Sequence, residues 1–273
     1  MIVDTHVHVV SGDRGTYPVL PTAPDWPVTE IDQLVASMDE AGVERALLVQ
    51  TFFTYGVDNS YMIDAAAKYP RRLQTVAVID QLSPTAPEVL TALVKRHGIG
   101  GIRFMPKGLP PGALWDERSF PVWRRAGELG VVITVAAELE HLPFMPAVVA
   151  RFPEAKVAFE HMWALEIGTP PYAPLEAIGP LARFPNVYLK LCPNNSHMLR
   201  DGGGSAKAFF GRLIDRFGIE RMMWGSNYPA HFHKYGGYEG RLRIMEEDFS
   251  VFTPDERQRF FGGTALTLWP DLA

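Results

Sequence analysis

Short apolar runs alternate with longer amphipathic stretches along almost the whole chain. Eight of these runs have the length and the β-branched composition of strands. Most of them are apolar at nearly every position, which is typical of parallel strands that are buried on both faces. The pattern predicts strands at residues 2–8, 45–50, 73–80, 101–104, 131–137, 156–162, 187–192 and 222–227.

Between the strands, apolar residues recur at the three- and four-residue spacing of helices. The first helix follows Thr29, which begins a capping-box-like pattern, and its apolar stripe continues to Gly42. Further helices are predicted at residues 58–69, 87–97, 120–129, 142–152, 175–184, 205–217, 239–249 and 254–261. This alternation predicts an α/β fold, a single (β/α)8 TIM barrel that occupies residues 1–273 as one domain.

An open, doubly wound sheet is the alternative fold. No Gly-x-Gly-x-x-Gly pattern follows any predicted strand, which argues against the dinucleotide-binding version of that sheet. One segment departs from the regular alternation. Residues 11–28 are polar and rich in proline, and they are too many for a simple turn between a strand and a helix. We expect them to form a functional loop over one end of the barrel.

Composition narrows the functional classes. The 273-residue chain has a net charge of −5 and no basic run, so nucleic acid is not an expected partner. No apolar run reaches the roughly 18 residues of a membrane span, so no membrane partner is expected. A single cysteine, Cys192, and the lack of a signal-peptide pattern lead us to expect a cytoplasmic protein. The oligomeric state is open, and a homo-oligomer is one alternative.

Histidines lie at the ends of two predicted strands, where the active site of a TIM barrel is built. His6 and His8 are two residues apart, so on a strand their side chains project from the same face. His161 lies near the end of the sixth strand. Three imidazoles and one open position form a common catalytic zinc site. The three histidines are therefore candidate catalytic residues and candidate metal ligands.

Two cations lie on predicted buried strands, where an unpaired charge is costly. Arg103 pairs either with a structural carboxylate such as Asp80 or with an acidic substrate, and we favour the substrate. The same alternatives hold for Lys190. Strand alternation turns Glu160 to the face opposite the sixth-strand histidine, so we expect Glu160 to be structural.

Several motifs resemble those of the amidohydrolase superfamily. They are DTHVH at 4–8, DNSY at 58–61, GIR at 101–103, EH at 160–161, LK at 189–190 and WGSNYP at 224–229, and GTALTLWP at 263–270 resembles the closing helix. The resemblance covers nearly the whole chain. It is closest to the amidohydrolase-related branch, which includes pyrone-dicarboxylate lactonase and sugar lactonases, with decarboxylases and hydratases as relatives.

The resemblance implies a hydrolase, but the chain departs from the family pattern twice. In the superfamily the histidine pair of the first strand usually binds a divalent metal, together with later histidines and an aspartate at the end of strand eight. Residues 131–138 contain no histidine, and Asn227 stands where that aspartate would be. An amide has no useful basicity, so Asn227 cannot be the general base, although it can hydrogen-bond to water or substrate. The alternative interpretation of Asn227 is a turn residue.

The resemblance therefore implies that the protein opens a carboxylate-bearing lactone or a related cyclic ester. His6, His8 and His161 would polarise the carbonyl, either through zinc or manganese or directly without metal. The small anionic substrate would be bound by Arg103, Lys190, Tyr228 and Glu138. Glu138, Asp80, His231 and an unmetallated strand histidine are candidate bases, and Tyr55, Trp163 and Tyr172 are candidate pocket aromatics. A metal-dependent decarboxylase, hydratase or lactone isomerase, or a non-catalytic binder of small acids, are the alternative functions.

Overall fold

Eight parallel strands form one sheet in sequence order in a computed structural model that describes residues 1–105, 112–136, 138–162, 167, 169–230 and 232–272. The strands are β1 (Val3–Val7), β2 (Arg45–Val49), β3 (Leu73–Ala77), β4 (Gly101–Phe104), β5 (Val132–Val135), β6 (Val157–Glu160), β7 (Val187–Leu191) and β8 (Met222–Trp224). All eight predicted strands are confirmed, and most are shorter than predicted.

The sheet closes where the segment after β8 meets β1. Val7 pairs with Tyr228 in a parallel bridge, and the backbone N–H of Asn227 donates to the carbonyl oxygen of His6 at 2.8 Å. Gly225 permits this approach, because a Cβ atom at that position would lie 2.8 Å from the Cβ atom of His6. The predicted (β/α)8 barrel is confirmed.

The helices surround the sheet and include three that neither the apolar pattern nor the family resemblance predicts. They are α1 (Ile31–Glu40), α2 (Phe52–Tyr55), α3 (Ser60–Lys68), α4 (Ala86–His97), α5 (Phe120–Leu129), α6 (Met145–Arg151), α7 (Ala173–Ile178), α8 (Pro193–Asp201), α9 (Ala206–Phe217), α10 (Phe232–Tyr235), α11 (Gly237–Phe249), α12 (Pro254–Gln258) and α13 (Thr264–Leu268). The unpredicted helices are α2, α8 and α10, which are short or rich in polar residues. Of the helices in the described residues, none is long and apolar enough to span a membrane.

The N-terminal end of the barrel has an apolar floor. Inward-facing strand residues pack there against the end of the chain, and the indole of Trp269 donates to the carbonyl oxygen of Gly100 at 2.9 Å. The residues of this floor are Val3, Leu47, Val49, Val76, Val132, Ala158, Met223, Ala265, Leu268, Trp269 and Leu272. The floor leaves the polar chemistry of the barrel to the opposite, C-terminal end of the strands.

Candidate active site

Three histidines meet at the C-terminal ends of β1 and β6. The Nε2 atoms of His6 and His8 are 3.1 Å apart, and the rings of His6 and His161 have centroids 4.2 Å apart. All three side chains are buried. The fold therefore brings together residues that are about 155 positions apart in the chain (161 − 6).

Hydrogen bonding determines the tautomer of His8. Its Nδ1 atom lies 2.7 Å from the carbonyl oxygen of Val49, and a carbonyl can only accept, so Nδ1 carries the proton. Nε2 therefore presents a lone pair towards His6. Burial and the charge of Arg103 lower the pKa of His8 to about 3, and burial also lowers the pKa of His161 to about 3. Both imidazoles are neutral near pH 7.

Glu160 corrects one prediction, because its side chain points into the barrel. The chain leaves the extended conformation directly after Glu160, since His161 has φ of +56° and Met162 has φ of +45°. The alternation of a regular strand therefore does not apply to His161, and both side chains reach the interior. Glu160 Oε1 lies 3.5 Å from Nδ1 of His6.

Arg103 pairs with a structural carboxylate, as one of the two predicted alternatives has it, but the partner is Glu160 and not Asp80. Nε and Nη2 of Arg103 lie 2.9 and 2.8 Å from Oε2 of Glu160, and Nη1 donates to the Gln50 carbonyl oxygen at 3.3 Å. Alternate strands supply one layer of side chains in such barrels, and β4 and β6 are alternate strands. That rule was the sequence signal for this pair. Asp80 is exposed and lines a surface cavity between α3 and α4.

The ion pair leaves Glu160 charged and Arg103 partly available. Burial raises the pKa of Glu160, but the charges of Arg103 and Lys190 outweigh burial and lower it below its usual value. Arg103 uses three of its five N–H groups in the contacts with the described residues. The remaining Nη1 and Nη2 protons can still bind a carboxylate.

Lys190 points away from the open end of the barrel. Its ammonium donates to the Thr5 carbonyl oxygen at 2.9 Å and lies 5.4 Å from the ring centroid of Trp269 in the apolar floor. Burial lowers the pKa of Lys190 to about 8. These contacts place Lys190 beneath the histidines, and its role in substrate binding stays a prediction.

The buried ammonium of Lys190 predicts a pH-dependent stability. Below about pH 8 the group is charged in the folded and unfolded states, and its desolvation destabilises the fold. Between about pH 8 and the unfolded pKa of 10.5, only the unfolded chain keeps the proton, so the destabilisation is relieved as pH rises. Relative to Lys190→Met, the wild type should gain up to about 3 kcal/mol of unfolding free energy across this range. Urea unfolding of both proteins at several pH values measures the gain, and parallel pH profiles would contradict it.

The segment after β8 holds Asn227 and Tyr228 by backbone contacts. Asn227 has φ of +55°, a left-handed conformation that asparagine tolerates, which agrees with the alternative of a turn residue. The backbone N–H of His8 donates to the carbonyl oxygen of Tyr228 at 2.7 Å, and the Tyr228 ring packs 5.2 Å from that of Tyr238. The catalytic role of Asn227 and the substrate-binding role of Tyr228 stay predictions.

Two buried charged residues that we did not predict hold the same segment. Asp4 Oδ1 accepts the backbone N–H of Ser226 at 2.8 Å, and its Oδ2 accepts the Tyr238 hydroxyl at 2.8 Å. Arg241 Nη1 donates to the carbonyl oxygens of Ser226 and Asn227 at 3.1 and 3.2 Å. Burial inside a barrel is the signal that could have identified Asp4, since it lies in the apolar first strand beside the histidines.

Glu138 lies at the rim beyond β5. A carboxylate oxygen of Glu138, one of Glu140 and a ring nitrogen of His141 lie within 4.8 Å of one another, so these three residues are a potential metal-binding group. However, Nδ1 of His141 accepts the backbone N–H of Glu138 at 3.1 Å, so the proton of the neutral ring is on Nε2. The arrangement therefore fits a metal poorly. The candidate base His231 and the candidate aromatic Trp163 lie outside the described residues.

The proline-rich loop brings an unpredicted aromatic residue to the site. Trp26 packs edge-on against His8, with ring centroids 5.4 Å apart. An aromatic between prolines in the loop was the available signal. By contrast, the hydroxyl of buried Tyr55 accepts the backbone N–H of Ser11 at 2.9 Å, and buried Tyr172 packs 5.4 Å from Phe209. Tyr55 and Tyr172 therefore pack the protein, whereas Trp26 contacts a site residue.

His6 and His8 present two nitrogens that a divalent cation can share, whereas the three histidines do not bring one nitrogen each within 4.8 Å of one another. Nδ1 of His6 lies 3.5 Å from Oε1 of Glu160 without a hydrogen bond between them, and Nε2 of His8 presents a lone pair towards His6. Nε2 of His6, 3.1 Å from that lone pair, can donate a proton to it or share a cation with it. Neither ring nitrogen of His161 has a hydrogen-bond partner in the described part of the chain. Zinc and manganese both suit imidazole or mixed ligand sets.

Comparisons with known proteins agree with this architecture. The family model described as Amidohydrolase matches residues 3–270. The chain is 24% identical over 251 residues to 4-sulfomuconolactone hydrolase of Rhizobium radiobacter, covering 89% of this chain and 79% of that protein.

Two solved structures share the fold. One is a probable 2-pyrone-4,6-dicarboxylic acid hydrolase from Acinetobacter baumannii with citric acid bound, with a TM-score of 0.80, 20% identity, and coverage of 98% of this chain and 99% of that one. The other is an amidohydrolase from Burkholderia multivorans with bound zinc, with a TM-score of 0.78, 20% identity, and coverage of 99% of both chains.

Proposed function

This chain belongs to the amidohydrolase family, and on that premise we propose that it is a hydrolase that opens a carboxylate-bearing lactone or related cyclic ester. The names of two similar proteins support this substrate class, since sulfomuconolactone and pyrone-dicarboxylic acid are both cyclic esters with acidic groups. The observation that carries the proposal is that two N–H groups of buried Arg103 have no acceptor among the described residues, in a barrel end that also holds three buried histidines.

Arg103 would bind the substrate carboxylate through its free Nη1 and Nη2 protons. Glu160 and the Gln50 carbonyl already hold the guanidinium, so little side-chain freedom is lost when the substrate binds. The bound carboxylate then directs the ring carbonyl of the substrate towards the histidines. Proximity of this kind contributes to rate because the reacting groups are already oriented.

The histidines would act on the ring carbonyl. His6 and His8, with His161 as the predicted third ligand, would hold a divalent ion that would supply Lewis-acid polarisation of a carbonyl and acidify a bound water. Burial lowers the pKa of His6 well below its usual value, so a proton that reaches its Nε2 atom needs a compensating charge. The carboxylate of Glu160, 3.5 Å from Nδ1, supplies that charge in the alternative without metal.

One of the candidate bases, Asp80, is disfavoured. It lies on the outer surface between α3 and α4, away from the histidines. Glu138 at the rim and a strand histidine are the remaining candidates in the described residues.

Turnover of a panel of carboxylate-bearing lactones in ¹⁸O-labelled water tests the proposed function. We expect one labelled oxygen in a newly formed carboxylate for each ring opened, because hydrolysis adds water across the acyl–oxygen bond. Release of carbon dioxide would indicate a decarboxylase, label in a hydroxyl group alone a hydratase, and rearrangement without label an isomerase. Binding of these acids without turnover would indicate the non-catalytic alternative.

Metal removal is expected to abolish most of the activity. Dialysis against a chelator should lower kcat, and zinc or manganese should restore it, because the Nε2 atoms of His6 and His8 are close enough to share a cation. Elemental analysis before and after dialysis gives the metal content for each activity value. Full activity in metal-free protein would instead favour histidines that act directly on the carbonyl.

A further inference from the structure

Hydrogen bonds of the ring do not hold the imidazole of His161 in place. Neither nitrogen has a hydrogen-bond partner among the residues that the structure describes, although the ring is buried against His6. The backbone of His161 has φ of +56°, and a left-handed conformation costs a residue other than glycine about 1–2 kcal/mol. Contacts elsewhere on His161 must therefore keep it in this conformation.

Two hydrogen bonds hold the backbone of His161 on either side. Its N–H donates to the carbonyl oxygen of Lys190 in β7 at 2.7 Å. Its carbonyl oxygen accepts Nδ2 of Asn195, in the first turn of α8, at 2.6 Å. Asn195 is fully buried, and its Oδ1 atom accepts the backbone N–H of Cys192 at 2.9 Å. The amide of Asn195 thus connects the end of β6 to the start of α8.

We propose that Asn195 is a positioning residue that sets the place of the His161 imidazole in the active site. The proposal rests on the proposed function, in which His161 acts on the substrate carbonyl. Asn195 acts on the backbone and does not touch the site itself. We call the two hydrogen bonds that the Asn195 amide makes to His161 and Cys192 the clamp. Because the His161 ring makes no hydrogen bond in the described residues, the direction of its Cα–Cβ bond is set by the φ and ψ that the clamp maintains.

Only an amide of this length meets both requirements of the clamp. It must donate to the carbonyl of His161 and accept from the N–H of Cys192 at the same time. An aspartate has the same shape, but when it is ionised it places an oxygen against the carbonyl oxygen of His161. Asn195→Asp therefore replaces an attraction with a repulsion at almost constant volume.

Asn186 provides a matched control at the other end of the barrel. It precedes β7, and its Nδ2 atom donates to the carbonyl oxygens of Ala155 and Phe152 at 2.8 and 3.3 Å. Asn186→Asp breaks the same kind of side-chain-to-carbonyl bond between neighbouring βα units. It should lower stability without changing activity, because it is remote from the histidines.

The experiment measures stability, kinetics and the conformation of His161 for both variants. We expect Asn195→Asp to lower kcat by about 10- to 100-fold with little change in KM, and Asn186→Asp to leave both constants unchanged. In a His161→Asn background, Asn195→Asp should cause no further loss of kcat. A crystal structure of Asn195→Asp should show that His161 leaves the left-handed conformation.

Unchanged kcat together with an unchanged His161 conformation would overturn the proposal, and so would a full further loss of kcat in the His161→Asn background. If Asn195→Asp does not fold, Asn195→Ala removes the clamp without adding a charge and is judged by the same criteria. The crystallographic result needs no substrate. If the wild type opens no lactone, the proposed function fails, while the conformation of His161 in the variant still decides the role of Asn195.

Discussion

Replacing Arg103 with methionine is expected to lower kcat/KM for carboxylate-bearing lactones by about 10²- to 10³-fold, the worth of two hydrogen bonds to a charged group. It should also lower the free energy of unfolding by about 3–5 kcal/mol. The stability loss arises because Glu160, which is 1% exposed, would keep a buried charge without the partner that now lies 2.8 Å away. Steady-state kinetics and urea unfolding measure the two effects.

The double variant Arg103→Met with Glu160→Met separates the two effects. It should recover much of the lost stability, because no uncompensated charge remains, yet it should stay as inactive as the single variant. Arg125→Met breaks the exposed Arg125–Glu128 pair of 2.8 Å and should change stability by less than about 1 kcal/mol. A double variant no more stable than Arg103→Met would show that Glu160 is not destabilised by the loss. Retained kcat/KM in Arg103→Met would contradict the role of Arg103 as the carboxylate anchor.

Replacing His8 with asparagine is expected to lower kcat by about 10³-fold, within the range for loss of a group that acts at the reacting centre. It should change the unfolding free energy by no more than about 1 kcal/mol. The asparagine amide can take over the bond that Nδ1 of His8 makes to the carbonyl oxygen of Val49 at 2.7 Å, whereas nothing replaces Nε2 beside His6. The loss should therefore appear in catalysis and in zinc affinity, and only weakly in folding.

His97→Asn is the matched control for His8, because His97 is exposed at the end of α4, far from the histidine cluster. It should leave kcat and zinc affinity unchanged. A His8→Asn protein with activity within about threefold of the wild type would remove His8 from the catalytic group.

The alternation of strands and helices was predictable from the sequence because the burial of each element determines which of its neighbouring residues are apolar. A strand covered on both faces reads as an apolar run, and a helix on the outer layer reads as an apolar stripe, so the alternation indicates the barrel. The pairing of His6 with His8 was predictable for the same reason, because side chains two residues apart on a strand project from the same face. Helix α8 escaped prediction because its first turn, which begins at Pro193, is polar and carries no apolar stripe.

The shared inward direction of Glu160 and His161 was not predictable in this way. Glu160 faces inward by the regular alternation of β6, since Ala158 two residues earlier also faces the barrel interior. His161 faces inward beside it because of its positive φ, which no residue type in the segment requires, since glycine is absent there. That conformation is maintained by hydrogen bonds to Lys190 and Asn195, which lie 29 and 34 residues further along the chain. A contact between distant segments therefore determined a local backbone conformation, and the wrong orientation of Glu160 followed from assuming that the regular strand continues through His161.

The sequence by itself determined the barrel, the strand ends at which chemistry is placed, and the histidine pair of the first strand, because each depends on the spacing of neighbouring residues. Only the tertiary structure decided which charges meet. It paired Arg103 with Glu160, bonded Lys190 to the Thr5 carbonyl above the apolar floor, and brought Trp26 against His8. A buried charge pairs with the opposite charge that lies close enough to offset its desolvation. The distances between residues of separate strands are set only when the barrel closes.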